Sequence, residues 1–127
     1  MMGKKDFTKF AEDLKKVVEV HVQMFAPIVG SPHPAPFGDY WFLFHVSPEG
    51  GGGLEHLNST QIFFHSDWDS TRPAGSLTEY EAKLLGTSHE FFHAWNVKRL
   101  RPNPLGPFDY SHEVYTPSLW ISEGLTS

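Results

Sequence analysis

The chain has 127 residues, enough for one domain that buries roughly two-thirds of its unfolded surface. Hydrophobic residues at 39% against 20% charged residues exclude a wholly disordered chain, and a net charge of -5 gives no footing for nucleic-acid binding, which needs a basic stripe. No cysteine is present, so disulfides and thiolate metal sites are excluded and any metal must be held by His, Asp or Glu.

No apolar run approaches the length of a membrane span, and the N-terminus lacks the apolar centre of a signal peptide, so no membrane partner is expected. Compartment and oligomeric state leave no mark on the sequence. Residues 6–25 read as an amphipathic helix, with Phe7, Phe10, Ala11, Leu14, Val17, Val18, Val22 and Phe25 as its buried stripe. Asp6 is placed to cap its start, and Pro27 is expected to end it. Residues 26–38 are rich in Pro and Gly and read as a loop. The run DYWFLFHV over 39–46 is aromatic and β-favouring, as expected of a buried strand. Four glycines follow, Gly50 to Gly53, then Leu54-Glu55-His56 and a second strand candidate over 60–65. Two strands joined around a glycine turn suggest a small antiparallel sheet.

Ser76-Leu77-Thr78-Glu79 reads as a capping box opening a helix over 77–95, with Tyr80, Leu84, Phe91 and Trp95 on its apolar face. A mid-helix glycine, Gly86, weakens it by about 1 kcal/mol against alanine. Lys98, Arg99 and Arg101 follow as a short basic run of the kind the helix dipole favours, with no catalytic part assigned. Residues 103–115 are loop-like, and Thr116-Pro117 has the chemistry of a helix start for a final helix reaching toward Ser127. The organisation is a single α+β unit: an N-terminal helix (1–27), strands with a glycine-rich motif (39–65) and a helical metal-site segment (77–127).

The chemistry centres on His89-Glu90-Phe91-Phe92-His93. Residues four apart share one helix face, with β-carbons about 5–6 Å apart, so His89 and His93 can bind one ion. Glu90 adjoins the first ligand and can act as general base on a water at that ion. Zinc suits the donor set, binding nitrogen and oxygen and drawing the pKa of its water to about 7. A third ligand must come from downstream, and two glutamates compete. Glu113 sits in the loop-like sequence Tyr-Ser-His-Glu. Glu123 lies within the last helix, a more rigid support. The remaining histidines His21, His33, His45 and His65 show no ligand spacing.

The string HEFFHAWNVKRLRP, followed by LGPFDY and then LWISEGLTS, resembles the glycyl aminopeptidase family of gluzincin zinc metallopeptidases, over roughly residues 37–127. The resemblance implies a thermolysin-like catalytic-domain fragment, with a small antiparallel sheet packed against a zinc-binding helix and flanking helices. It implies one Zn2+ held by His89, His93 and Glu123, the last within a Trp-x-x-Glu-Gly segment, and Glu90 as the catalytic base. It places Gly52-Gly53-Leu54-Glu55-His56 where relatives carry a glycine-rich exopeptidase motif. Glu55 would then bind the α-amino group of a peptide substrate with a free N-terminus, and Gly52 and Gly53 would let its backbone approach. The implied activity is a zinc-dependent aminopeptidase that hydrolyses N-terminal Gly or Ala through a zinc-activated water.

Related enzymes stabilise the oxyanion with a downstream tyrosine or histidine, and the nearby phenols here are Tyr110 and Tyr115. Family members are much longer, so the chain reads as an excised core whose own activity and metal retention the sequence leaves open. The alternatives are a zinc endopeptidase, a non-catalytic peptide- or partner-binding module retaining the fold, or a structural zinc site closed by a fourth ligand such as His56 or His112.

Overall fold

The computed structural model describes residues 6–29, 35–71, 73–109 and 111–126. His33 and Tyr110 lie outside the described residues. Helix α1 spans Thr8–Val29, and Asp6 caps it, its Oδ1 accepting the Thr8 backbone N–H at 2.9 Å. The helix continues two residues beyond Pro27, which was expected to stop it. A proline in the last turn forfeits its own N–H bond, and here the backbone keeps helical geometry past that loss.

Three strands follow: β1 (Trp41–Ser47), β2 (Gly53–Glu55) and β3 (Ser59–His65), in the order β1-β3-β2. Strand β1 pairs with β3 in parallel, Trp41 opposite Ser59 and Ser47 opposite His65. Strand β2 is antiparallel to β3, with Gly53 opposite Ile62 and Glu55 opposite Thr60. The sheet is therefore mixed, which corrects the antiparallel expectation. The glycine run does not join neighbouring strands. Leaving β1, the chain doubles back through Gly50–Gly52, descends as β2, reverses at 56–58 and returns as β3 between the other two. Glycine is required on this path: Gly52 has φ +82, and a methyl on Gly50 would overlap the backbone of Phe64 and His65.

The expectation that β1 is buried holds for one face only. Phe42, Phe44 and Val46 pack inward, whereas Trp41 is 65% exposed and Leu43 49%. The helices cover a single face of the sheet, so the alternate residues of β1 are left uncovered.

A two-residue hairpin comes next, β4 (Pro73–Ala74) with β5 (Leu77–Thr78), turning at Gly75 with φ +68. It moves the start of helix α2 to Glu79; α2 then runs to Phe92. Its capping box is Thr78 with Glu81, not Ser76 with Glu79: Thr78 Oγ1 accepts from Glu81 N at 3.2 Å, and Glu81 Oε2 accepts from Thr78 N at 2.8 Å. Ser76 is taken up by the turn and Leu77 by pairing, so the next hydroxyl supplies the cap. The last turn predicted for α2, through Trp95, is replaced by tight turns. A short 3-10 turn covers Asn103–Leu105, and helix α3 is confined to Leu119–Gly124. Thr116 caps only the preceding turn, accepting from Ser118 N at 3.2 Å.

Two aromatic clusters share α1 as their lid. Its N-terminal half puts Phe10 and Leu14 against Ile62, Phe64 and Trp68; its C-terminal half puts Phe25 against Phe91, Ala94 and Trp95. Phe42 touches both clusters. The second cluster is the floor under α2, and it fixes which face of that helix turns outward. No helix among the described residues is long and apolar enough to cross a membrane.

Phe10 is 1% exposed and meets Phe44, Phe64, Trp68 and Tyr80 edge-on. Phe10→Ala should cost about 3–5 kcal/mol by loss of burial and opening of a cavity. The check is the shift of the urea unfolding midpoint at constant slope; a loss below about 1 kcal/mol would show that the α1 contact does not form in solution.

Candidate metal centre

Phe91 and Trp95 pack in the core, and His89 of α2 and His93 at its C-cap meet on another side of the helix. His89 and His93, four apart, bring their Nε2 atoms to 3.1 Å. Glu123 on α3 adds Oε2 at 3.2 Å from His89 Nε2 and 3.6 Å from His93 Nε2. A tetrahedral ion with bonds of about 2.0–2.1 Å spaces its ligand atoms about 3.3 Å apart. Three donors at these separations, two imidazoles and one carboxylate, fit a zinc ion with one position left over for a water.

The tautomer fits as well. His93 Nδ1–H donates to the Asn96 carbonyl at 2.8 Å, which leaves the Nε2 lone pair for a metal. His93 is buried, whereas His89 and Glu123 are progressively more open to solvent. The ligand set is thus anchored on one side and accessible on the other.

Glu90 is half-buried, and its Oε2 is buried without a hydrogen-bond partner in the structure. Withdrawal from water raises its pKa; His93 opposes that rise, and the carboxylates of Glu55 and Glu123 add to it. An orphaned carboxylate oxygen beside a three-donor cluster is the feature expected of a base whose partner is a mobile water. Gly53 backs directly onto it, since a methyl there would overlap the Glu90 carboxylate. A small cleft of about 140 Å³ runs between Gly52–Gly53 and His89–Glu90, with Gly86 in its wall.

Glu55 reaches the same space from β2. Its carboxylate, that of Glu90 and a ring nitrogen of His93 lie within 4.8 Å of one another. Burial alone would raise the Glu55 pKa, but a backbone hydrogen bond and Lys98 outweigh it and hold the group below the usual glutamate value. Lys98 Nζ lies 3.1 Å from Glu55 Oε1. Tyr40 also borders the pair. Burial pushes its phenol pKa up, and Glu90 and Glu55 push it further. Its hydroxyl is buried without a partner. Tyr40 and Lys98 are the site residues that the sequence reading missed; their only signal was adjacency to an aromatic run and to a basic run.

Residues 83–127 match the family model of the M61 glycyl aminopeptidase. That span contains His89, Glu90, His93 and Glu123. Over those residues the chain is similar to the M61 glycyl aminopeptidase family. This is a metallopeptidase family. The chain is also similar to the crystal structure of an aminopeptidase N family protein from Idiomarina loihiensis, with a TM-score of 0.80 and 35% identity. The similarity covers 98% of this chain and 20% of that one, so the chain spans about a fifth of that protein's length. Comparison with curated proteins gives no match.

Other residues singled out in the sequence lie apart from this cluster. Tyr115 is 84% exposed, and its hydroxyl donates to Glu113, so the glutamate that competed for the third-ligand position is engaged there. Neither His56 nor His112 joins a ligand group among the described residues, and His112 pairs instead with Ser111 and Asp109. The basic run does structural work beyond last-turn charge. The Arg99 guanidinium donates to three backbone carbonyls: Leu57 at 2.9 Å, Ala94 at 2.6 Å and Pro36 at 3.1 Å.

The raised pKa of Glu90 has a measurable sign in the metal-free chain. Its folded pKa lies above its unfolded value, so its protonated form favours the fold. That contribution is complete below the ordinary glutamate range and is lost as pH rises through the folded pKa. Glu90→Gln cannot ionise. It should therefore raise the thermal midpoint of the metal-free chain at neutral pH, with the gain fading toward acid pH. An equal midpoint for the two proteins at neutral pH would mean that the carboxylate is well solvated.

Proposed function

We propose that the chain is the metal-binding core of a zinc aminopeptidase that removes small N-terminal residues, Gly or Ala, from peptides with a free N-terminus. The observation that carries this reading is the convergence of His89, His93 and Glu123 beside Glu90, whose Oε2 has no hydrogen-bond partner among the described residues. Zinc in that position supplies a Lewis acid that polarises a carbonyl and lowers the pKa of water. Glu90, ionised and within the same cleft, takes the proton of the attacking water at Oε2 and returns it to the leaving amine. Its raised pKa suits the first half of that exchange, because a carboxylate that is too acidic is too weak a base to take the proton from water.

Glu55 supports the restriction to the first peptide bond. Its carboxylate shares a 4.8 Å sphere with Glu90 and His93, so an ammonium held there leaves room for one residue before the reacting carbonyl. The flanking glycines remove side chains from the path of the substrate backbone. One observation favours a second reading, an endopeptidase. Lys98 already neutralises part of Glu55, which weakens its attraction for a second cation.

Hydrolysis of Gly- and Ala-arylamides by the full-length zinc-loaded enzyme tests the proposal. Glu90→Gln should lower kcat by about 10²–10⁴-fold with zinc still bound; retained activity would sink the mechanism. Glu55→Gln should lower kcat/KM by about 10–100-fold on substrates with a free amine and leave N-acetylated peptides unaffected. Equal cleavage of acetylated and free peptides by the wild-type enzyme would select the endopeptidase.

A further inference from the structure

We propose that Asn96 is a positioning residue that holds the two halves of the metal centre in register, an inference that rests on reading His89, His93 and Glu123 as the ligand set. Asn96 uses its backbone and its side chain in opposite directions. The carbonyl accepts from His93 Nδ1 at 2.8 Å, which fixes the ring's orientation and tautomer. The side-chain amide Nδ2 reaches α3, donating to the Ile121 carbonyl at 3.0 Å, the Ser122 carbonyl at 3.2 Å and Thr126 Oγ1 at 3.1 Å.

The need for this clamp follows from the length of α3. A helix of 6 residues is well below the length that is stable alone. Its last four carbonyls have no partner within the helix, and Ile121 and Ser122 carry two of them. Asn96 donates to both from outside, sharing the Ser122 carbonyl with the Thr126 hydroxyl. Glu123 follows Ser122 and precedes Thr126, so the amide grips the backbone just before the ligand and a side chain just after it. Ser122 is 1% exposed, which leaves water little access to take over the task. The result is one residue, three beyond His93, whose main chain aims one ligand and whose side chain anchors the segment bearing another. An aspartate could not replace it, because it offers no donor to these acceptors.

Zn2+ affinity of the chain, measured by competition with a chromophoric chelator, reads this role directly. Asn96→Ala should weaken binding by about 10–100-fold. In a Glu123→Ala background the same substitution should produce no further loss, because the ligand it positions is already gone. Equal fold losses in both backgrounds would assign Asn96 to general stability and overturn the proposal, as would unchanged affinity in the single variant. With Co2+ as the probe, the visible spectrum of Asn96→Ala should move to that of Glu123→Ala. Should Asn96→Ala fail to fold, Asn96→Ser keeps a shorter donor and the backbone carbonyl, and its affinity should fall between those of wild type and Glu123→Ala; wild-type affinity in that folded variant would overturn the proposal. His89→Ala separates the two levels of inference. Unchanged affinity there removes the ligand set itself, whereas loss there with none in Asn96→Ala removes only the clamp.

Discussion

Three acceptor atoms aimed at one point form the constraint around which the described fold is organised. The Nε2 atoms of His89 and His93 and Oε2 of Glu123 stand 3.1–3.6 Å apart. With neither a proton nor a metal cation among them, lone pairs at that range repel, so the metal-ready arrangement stands only if the surroundings hold it. Two features do so. The Thr78–Glu81 capping box starts α2 firmly, and Phe91 and Trp95 lock its back face into an aromatic floor. The metal-facing side chains are thereby carried on a rigid element whose rotation is set by burial on the other side.

The same floor makes the site electrostatically strong. Glu90 and the phenol of Tyr40 are withdrawn from water beside the Glu55 carboxylate, which raises the proton affinity of both, while Lys98 and a backbone hydrogen bond keep Glu55 itself acidic. Such a cluster does not favour folding. It is the kind of locally unfavourable arrangement that survives where packing elsewhere over-determines the structure, and here Phe10, Phe64, Trp68 and their neighbours supply that packing.

Much of this was legible in the chain. The four-residue histidine spacing, the helix that carries His89 and the greater rigidity expected of Glu123 over Glu113 all follow from local rules of helix geometry, and the structure places Glu123 rather than Glu113 beside the histidines. What local rules miss is pairing between distant segments. The glycine run resembles a hairpin turn between β1 and β3, yet the true hairpin is β2–β3, and only the sheet order reveals that β1 runs parallel to β3. The capping box shifted from Ser76 to Thr78 because Leu77 was drawn into a strand pair, a competition that no local pattern displays. Lys98 and Tyr40 were passed over for a related reason: their significance is their proximity to Glu55 and Glu90, which depends on β2 crossing the face of α2.

Arg99 gives the site a fixed scale of length. Its guanidinium ties the β2–β3 turn at Leu57, the turn after α2 at Ala94 and the incoming chain at Pro36 into one body. The planar fork makes these bonds in fixed directions, which a flexible lysine could not reproduce. The strand bearing Glu55 and the helix bearing His93 cannot drift apart without breaking it. In the proposed reading, the distance from amine anchor to reacting carbonyl is a ruler one residue long, and its calibration resides in a side chain that touches neither substrate nor metal.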